Sequence, residues 1–289
     1  MITDGKLMHD TELTRFKSIA SGIIDSHAHL VKEFFAADQK LVIGNMKAAN
    51  VQQIINPGID LKTIPELIEL ADNHENIYIG LGQHPHQANE WDKSSSEVIE
   101  KHIQHPKVVA IGECGLDFYY NNSAKEAQIF VLKEQLKIAR KYKKPVIIHC
   151  RDAWKELFEI LVEGNEPIKG VLHCFTGTAQ IVEELKTLGK NVDFYISFSG
   201  ILTFPKAQDI QAAAKIVDND KILVETDCPF LAPHPMRGKR NEPAYVWYTA
   251  EKLAELRDQP LEDIARFSTN NARNLFGLPV QNVPNNAIN

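Results

Sequence analysis

Short runs of β-branched and aliphatic residues recur along this chain, each followed by a longer stretch in which apolar residues return every three or four positions. The runs occupy residues 22–26, 51–56, 77–81, 108–112, 146–148, 170–172, 192–197 and 222–226. Between them lie candidate helices. The clearest covers 123–142, where Ser123 and Glu126 have capping-box spacing and Leu132, Leu136 and Ala139 form one stripe. Pro145 closes that helix and opens the next strand. Eight strand–helix repeats predict an α/β chain closed into a single (β/α)8 TIM-type barrel. An open, doubly wound sheet shares the same alternation, so the placement of polar residues has to choose between them. No Pro/Gly/Ser-rich linker divides the chain. The pattern places the barrel domain over 22–279, after a polar, peripheral arm at 1–21 and before a tail at 280–289.

Composition narrows the setting. With 289 residues and 44% hydrophobic content, the chain can bury one large core. A net charge of -6 argues against a general nucleic-acid coat or a polybasic membrane binder, while leaving room for a local basic loop. No apolar run approaches a membrane span, and the first residues lack a signal-peptide core. Four cysteines at wide, irregular spacing form neither a disulfide framework nor a zinc knuckle. The expectation is a cytoplasmic protein with no membrane contact and no obligatory protein partner.

In a parallel barrel, chemistry gathers at the C-terminal ends of the strands. The polar residues that end the apolar runs are His27 and His29 in DSHAHL, Glu113 in AIGECG, His149 in PVIIHCRDA, His173 in GVLHCFTG and Asp227 in VETDCP. His27 and His29 are two apart and can share one face. Six nitrogen and oxygen donors at one end of the strands exceed the needs of one tetrahedral zinc. They suit two divalent ions about 4 Å apart with a carboxylate between them, and Glu113, on strand 4, is the natural bridge. Each cysteine directly follows a candidate ligand. Strand alternation should turn Cys150, Cys174 and Cys114 into the layer between sheet and helices, as packing rather than chemistry. Glu225 should lie one layer below Asp227 and orient a ligand.

The stretches DSHAHL, IGECGLDF, PVIIHCRDA, LHCFTG and ETDCPFLAPHPMRGKRNEP, in that order from residue 25 to residue 243, resemble the TatD-like metal-dependent hydrolases, a deoxyribonuclease branch of the amidohydrolase-type barrels. The resemblance implies a metal site of His27, His29, Glu113, His149, His173 and Asp227, the set reached from the strand ends. It also implies hydrolysis of DNA phosphodiesters, often from a 3′ end. The N-terminal arm departs from the family pattern.

Water coordinated to a divalent ion has its pKa lowered from 15.7 to about 7, roughly 12 kcal/mol of help in forming hydroxide. Asp227 is the expected proton acceptor and Glu113 the bridging catalytic carboxylate. The ions could be Mg, Mn or Zn. For the DNA substrate, expected as single-stranded ends, Arg237, Lys239 and Arg240 in HPMRGKRNEP offer a basic loop beside the strand 8 aspartate. Arg151 and His84, with His86 less favoured, are further phosphate-binding candidates. Phe118, Tyr119, Phe175 and Phe230 could stack on bases or serve as core. Barrels of this kind also hydrolyse other esters, lactones and cyclic amides, many with a modified lysine where this chain has Glu113; a non-catalytic metal-binding barrel is the third reading.

Overall fold

The computed structural model describes residues 15–163 and 166–280. Most of the expected arm, 1–14, and the tail from 281 onward lie outside the described residues. Eight parallel strands run in sequence order: β1 Ile23–Asp25, β2 Val51–Pro57, β3 Ile77–Leu81, β4 Val108–Asp117, β5 Val146–Arg151, β6 Ile168–Leu172, β7 Val192–Phe198 and β8 Ile222–Val224. Helices alternate with them. No helix among the described residues is long and apolar enough to cross a membrane.

Strand order alone would fit an open sheet; closure is made just past the ends of β1 and β8. Ser26 N donates to Val224 O at 3.1 Å, Asp227 N to His27 O at 2.9 Å and His29 N to Cys228 O at 2.9 Å, and Ala28 bridges Cys228. Side chains lock the same seam. Asp25 Oδ1 accepts from Thr226 N at 2.9 Å, and its Oδ2 from Thr226 Oγ1 at 2.6 Å. The interior confirms the closed form: one buried cluster draws Ile24, Ile55, Tyr78, Ala110, Ile147, Val171, Tyr195 and Leu223 from the eight strands in turn. Leu275 and Phe276 of the last helix, Leu261–Phe276, complete that cluster. The larger core fills the space between sheet and helices.

The helix expected from 123 runs over Lys125–Tyr142, with Leu132, Leu136 and Ala139 buried. Ser123 does not cap it. Its hydroxyl instead accepts from Asn89 N at 3.2 Å and donates to His86 O at 2.8 Å, tying the loop after β3 to the loop after β4. The described part of the arm docks on the barrel: Phe16 is buried and stacks on Trp247, with ring centroids 4.8 Å apart.

Candidate metal centre

Period-two alternation carries the barrel's inner face upward into the site. Ile147 lies in the interior cluster, so His149, two residues on, faces inward too; Val171 leads to His173, and Leu223 leads to Glu225. On β4 the pairing with β5 shifts between Ile111 and Cys114, a bulge that re-aims the segment carrying Glu113. Gly115 lets β4 lie against β5 there: it has φ +147°, and a Cβ would sit 1.9 Å from His149 O. Asp227 takes a left-handed backbone at φ 56°, off the strand geometry, a strain typical of functional positions.

These elements bring all six expected ligands together. Glu113 sits at the middle with its two oxygens facing different partners. Oε2 lies 3.2 Å from His27 Nε2 and 3.6 Å from His29 Nε2. Oε1 lies 2.9 Å from His173 Nε2, 3.2 Å from His84 Nε2 and 3.4 Å from His149 Nδ1. Asp227 Oδ1 completes the first side at 3.7 Å from His27 Nε2 and 3.6 Å from His29 Nε2. Metal–nitrogen and metal–oxygen bonds of about 2.0–2.2 Å set the edges of a tetrahedron of donors at roughly 3.3–3.6 Å. The observed separations, 2.9–3.7 Å, bracket that range. The ring nitrogens of His27 and His29 point at one another at 3.0 Å beside two carboxylates, an arrangement suited to a shared cation.

Electrostatics agree with that fit. Burial, reinforced by the neighbouring His173 ring, pushes the His27 pKa down to about 3, and burial brings His84 to about 4, so both are neutral donors at physiological pH. Burial would raise the Glu113 carboxyl, yet His173, His84 and His27 hold it well below its usual range. Burial disfavours a charge on His173, but Glu113 and Glu225 outweigh it and raise that pKa. The pocket therefore attracts positive charge, which divalent ions would supply.

A layer of partners holds the donors. Glu225 Oε1 stands 3.3 Å from His173 Nδ1 and accepts from Cys174 N at 2.6 Å, the orienting position expected for it. Asp117, absent from the sequence reading, does the same for His149, with Oδ2 3.1 Å from His149 Nε2 and 2.9 Å from His86 Nε2. The signal was available: Asp117 is four residues past Glu113, on the same face if β4 continues, and the structure extends β4 to Asp117.

Other expectations are redistributed. His84 lies among the candidate metal donors, grouped with Glu113 and His149, closer in than a phosphate contact. Arg151 lines the cleft over the centre, which also takes in His29, Tyr119 and Phe230 and has a volume of about 850 Å³. Arg237, Lys239 and Arg240 do not line it. Arg240 pairs with Asp38, donates to Phe34 O at 3.2 Å and covers Phe35; Arg237 lies over the Phe204 ring at 3.9 Å. The loop's charge is partly spent on packing β7 and β1 neighbours, which its sequence could not reveal. Cys114 and Cys150 are buried in the core as expected, and Cys228 is buried there as well. Cys174 is the exception. β6 has ended by Leu172, Cys174 adopts φ 42°, and its Sγ meets Ser199 Oγ at 3.1 Å beside the cleft.

A family model described as TatD related DNase matches residues 24–277. The chain belongs to the TatD family. It is 42% identical over 255 residues to YabD of Bacillus subtilis, described as an uncharacterized metal-dependent hydrolase, covering 88% of this chain and 98% of that one. It is 32% identical to the 3′-5′ ssDNA/RNA exonuclease TatD of Citrobacter rodentium, covering 90% and 99% of the two chains. Among solved structures, YjjV, a TatD homologue from Escherichia coli, superposes with a TM-score of 0.82 at 31% identity over 90% of this chain and all of that one. The TatD fold and the motif-bearing strands thus span the described barrel.

Proposed function

We propose that this TatD-family hydrolase cleaves phosphodiester bonds at the single-stranded ends of DNA, using two divalent ions held on either side of Glu113. The observation that carries the reading is the division of Glu113: Oε2 toward His27 and His29, Oε1 toward His84, His149 and His173. Bound there, the ions would supply Lewis acidity toward the phosphoryl oxygens and lower the pKa of water toward neutrality. The protein's own groups do the rest. Asp227 borders the cleft and is positioned to accept the proton of the attacking water. Arg151 borders it as well, and among the described residues its guanidinium makes no hydrogen bond or ion pair, so its N–H donors are free for a phosphate. Single-stranded ends are favoured because a recess of about 850 Å³ is of small-ligand size and takes a few nucleotides rather than a duplex.

A second reading, hydrolysis of a small ester or cyclic amide, draws support from the same cleft, since Arg151 is the one Lys or Arg lining it among the described residues. Metal-stripped protein, reloaded with Mg, Mn or Zn, should shorten a 5′-labelled oligonucleotide stepwise. Two ions per chain should be recovered by elemental analysis. Stoichiometric loading with no cleavage of any oligonucleotide, alongside turnover of an ester or cyclic-amide panel, would transfer the assignment to the second reading.

A further inference from the structure

Single exposed apolar residues are ordinary on a protein surface, but exposed aromatic rings gathered around one cleft are informative. Four are exposed among the described residues, Tyr119 at 59%, Tyr120 at 55%, Phe130 at 55% and Phe230 at 51%. Three of these four line the cleft over the metal centre. They fall on two sides of it. Tyr119 and Tyr120 follow β4, and Phe230 follows β8; in a closed ring of eight strands in sequence order, β4 and β8 stand opposite each other.

Both lips are fastened to the centre between them. Tyr119 N and Tyr120 N donate to Asp117 Oδ1 at 3.1 and 2.9 Å, and the other oxygen of that carboxylate holds His149. On the far side Phe230 N donates to Asp227 O at 3.0 Å, and Phe230 O accepts from Asn241 Nδ2 at 2.6 Å. The rings are set for receiving a flat partner. Tyr119 and Tyr120 stand perpendicular, centroids 5.0 Å apart, with the Arg151 guanidinium 4.1 and 4.8 Å from their centres. Phe230 meets His29 and Phe34 in edge-type contacts, at 6.5 and 5.5 Å, which leave ring face for stacking. Phe118 and Phe175 do not share this role: Phe175 is buried, and Phe118 is packed on the core beneath Lys125.

We propose that the two lips are base-stacking subsites on either side of the scissile phosphate, so that the substrate strand crosses the mouth along the β4–β8 diameter, one nucleoside against Tyr119 and Tyr120 and its neighbour against Phe230. This rests on the nuclease reading above and adds the course of the strand. Arg151, seated on the tyrosines, then meets a phosphate next to the base they hold. Stacking of this kind tolerates any base, because every base has a π-face.

The test pairs lip variants with strands that lack one base. Holoenzymes carrying Tyr120→Ala, Tyr119→Ala, Phe230→Ala or Phe230→Trp are assayed on an oligothymidylate and on versions with a tetrahydrofuran abasic residue at the terminal or the penultimate position. Metal content and thermal melts are recorded for each. Each alanine variant should lose about 5- to 150-fold in kcat/KM on the intact strand beyond its loss on the strand missing one base, the equivalent of 1–3 kcal/mol per stacked base. The Tyr and Phe230 variants should couple to different, adjacent bases, and Phe230→Trp should restore activity. Equal losses on intact and abasic strands, or coupling of both lips to the same base, would overturn the proposal. If the wild-type protein, loaded in turn with Mg, Mn and Zn, fails to cleave the intact oligothymidylate with any of them, the nuclease reading itself fails.

Discussion

Replacing Asp117 by Asn tests how far the metal centre depends on a group that touches no ion. Four N–H groups converge on its carboxylate: His86 Nε2 and His149 Nε2 on Oδ2 at 2.9 and 3.1 Å, Tyr119 N and Tyr120 N on Oδ1 at 3.1 and 2.9 Å. Burial alone would raise the acid's pKa, but His149, His86 and the Tyr120 amide hold it well below the carboxylate range, so the wild-type group is an acceptor at both oxygens. An amide supplies one oxygen. Whichever way it flips, its NH2 faces a pair of donors. His86 can change tautomer to accept. His149 cannot, because binding an ion through Nδ1 fixes the proton on Nε2. A hydrogen bond to a charged group contributes about 1.5–3 kcal/mol, equivalent to roughly 10- to 150-fold. Partners of metal-bound histidines independently set about 10- to 100-fold in affinity or rate. The expected outcome is therefore a loss of about one to two orders of magnitude in divalent-ion affinity by calorimetry, with a parallel fall in kcat/KM. Values for both within about twofold of wild type would refute the claim that Asp117 sets the His149 ring.

Asp227→Asn should remove turnover while the melting temperature of the metal-free protein stays within a few degrees of wild type; near-normal kcat would exclude Asp227 as proton acceptor. With Arg151 the one Lys or Arg at the cleft among the described residues, Arg151→Ala should shallow the dependence of log KM on log[KCl] by about 0.7, the single-strand increment for one phosphate contact. Neutralising Arg237, Lys239 and Arg240 together should leave that slope in place, and a large change would bring the basic loop back to the substrate. Burial raises the pKa of Cys114, Cys150, Cys174 and Cys228. The reactive thiolate therefore stays scarce until pH rises past the ordinary cysteine value of about 8.5. Iodoacetamide at pH 8 should label the native protein far more slowly than the unfolded chain and spare its activity; rapid labelling with inactivation would give a cysteine a chemical role.

How much the chain disclosed follows from how each feature is encoded. The convergence of the six candidate donors was legible because each lies at the end of an apolar run, and a barrel gathers strand ends at one rim. Closure was legible only through that chemistry, since the bonds between the ends of β1 and β8 link residues some two hundred positions apart. The same distance hid the fate of Arg240, whose partner Asp38 belongs to a different loop. Ser123 matched a local capping pattern but answered to His86 and Asn89, which no local pattern contains. Asp117 and Tyr120 were overlooked because the apolar run ends at Gly112, whereas β4 goes on through the bulge to Asp117. The docking of Phe16 on Trp247 was hidden by the polar residues that surround it in sequence.

The joint between the first and last strands has a consequence during synthesis. His27 and His29 emerge early, yet the backbone that fixes them is supplied by Val224, Asp227 and Cys228, near the far end of the chain. A growing polypeptide that stops short of those residues carries five of the six segments that bear the candidate donors but no seam to hold the first in place. The first pair of candidate donors is therefore fixed only when the ring shuts, and the centre is complete only once the last strand is in place.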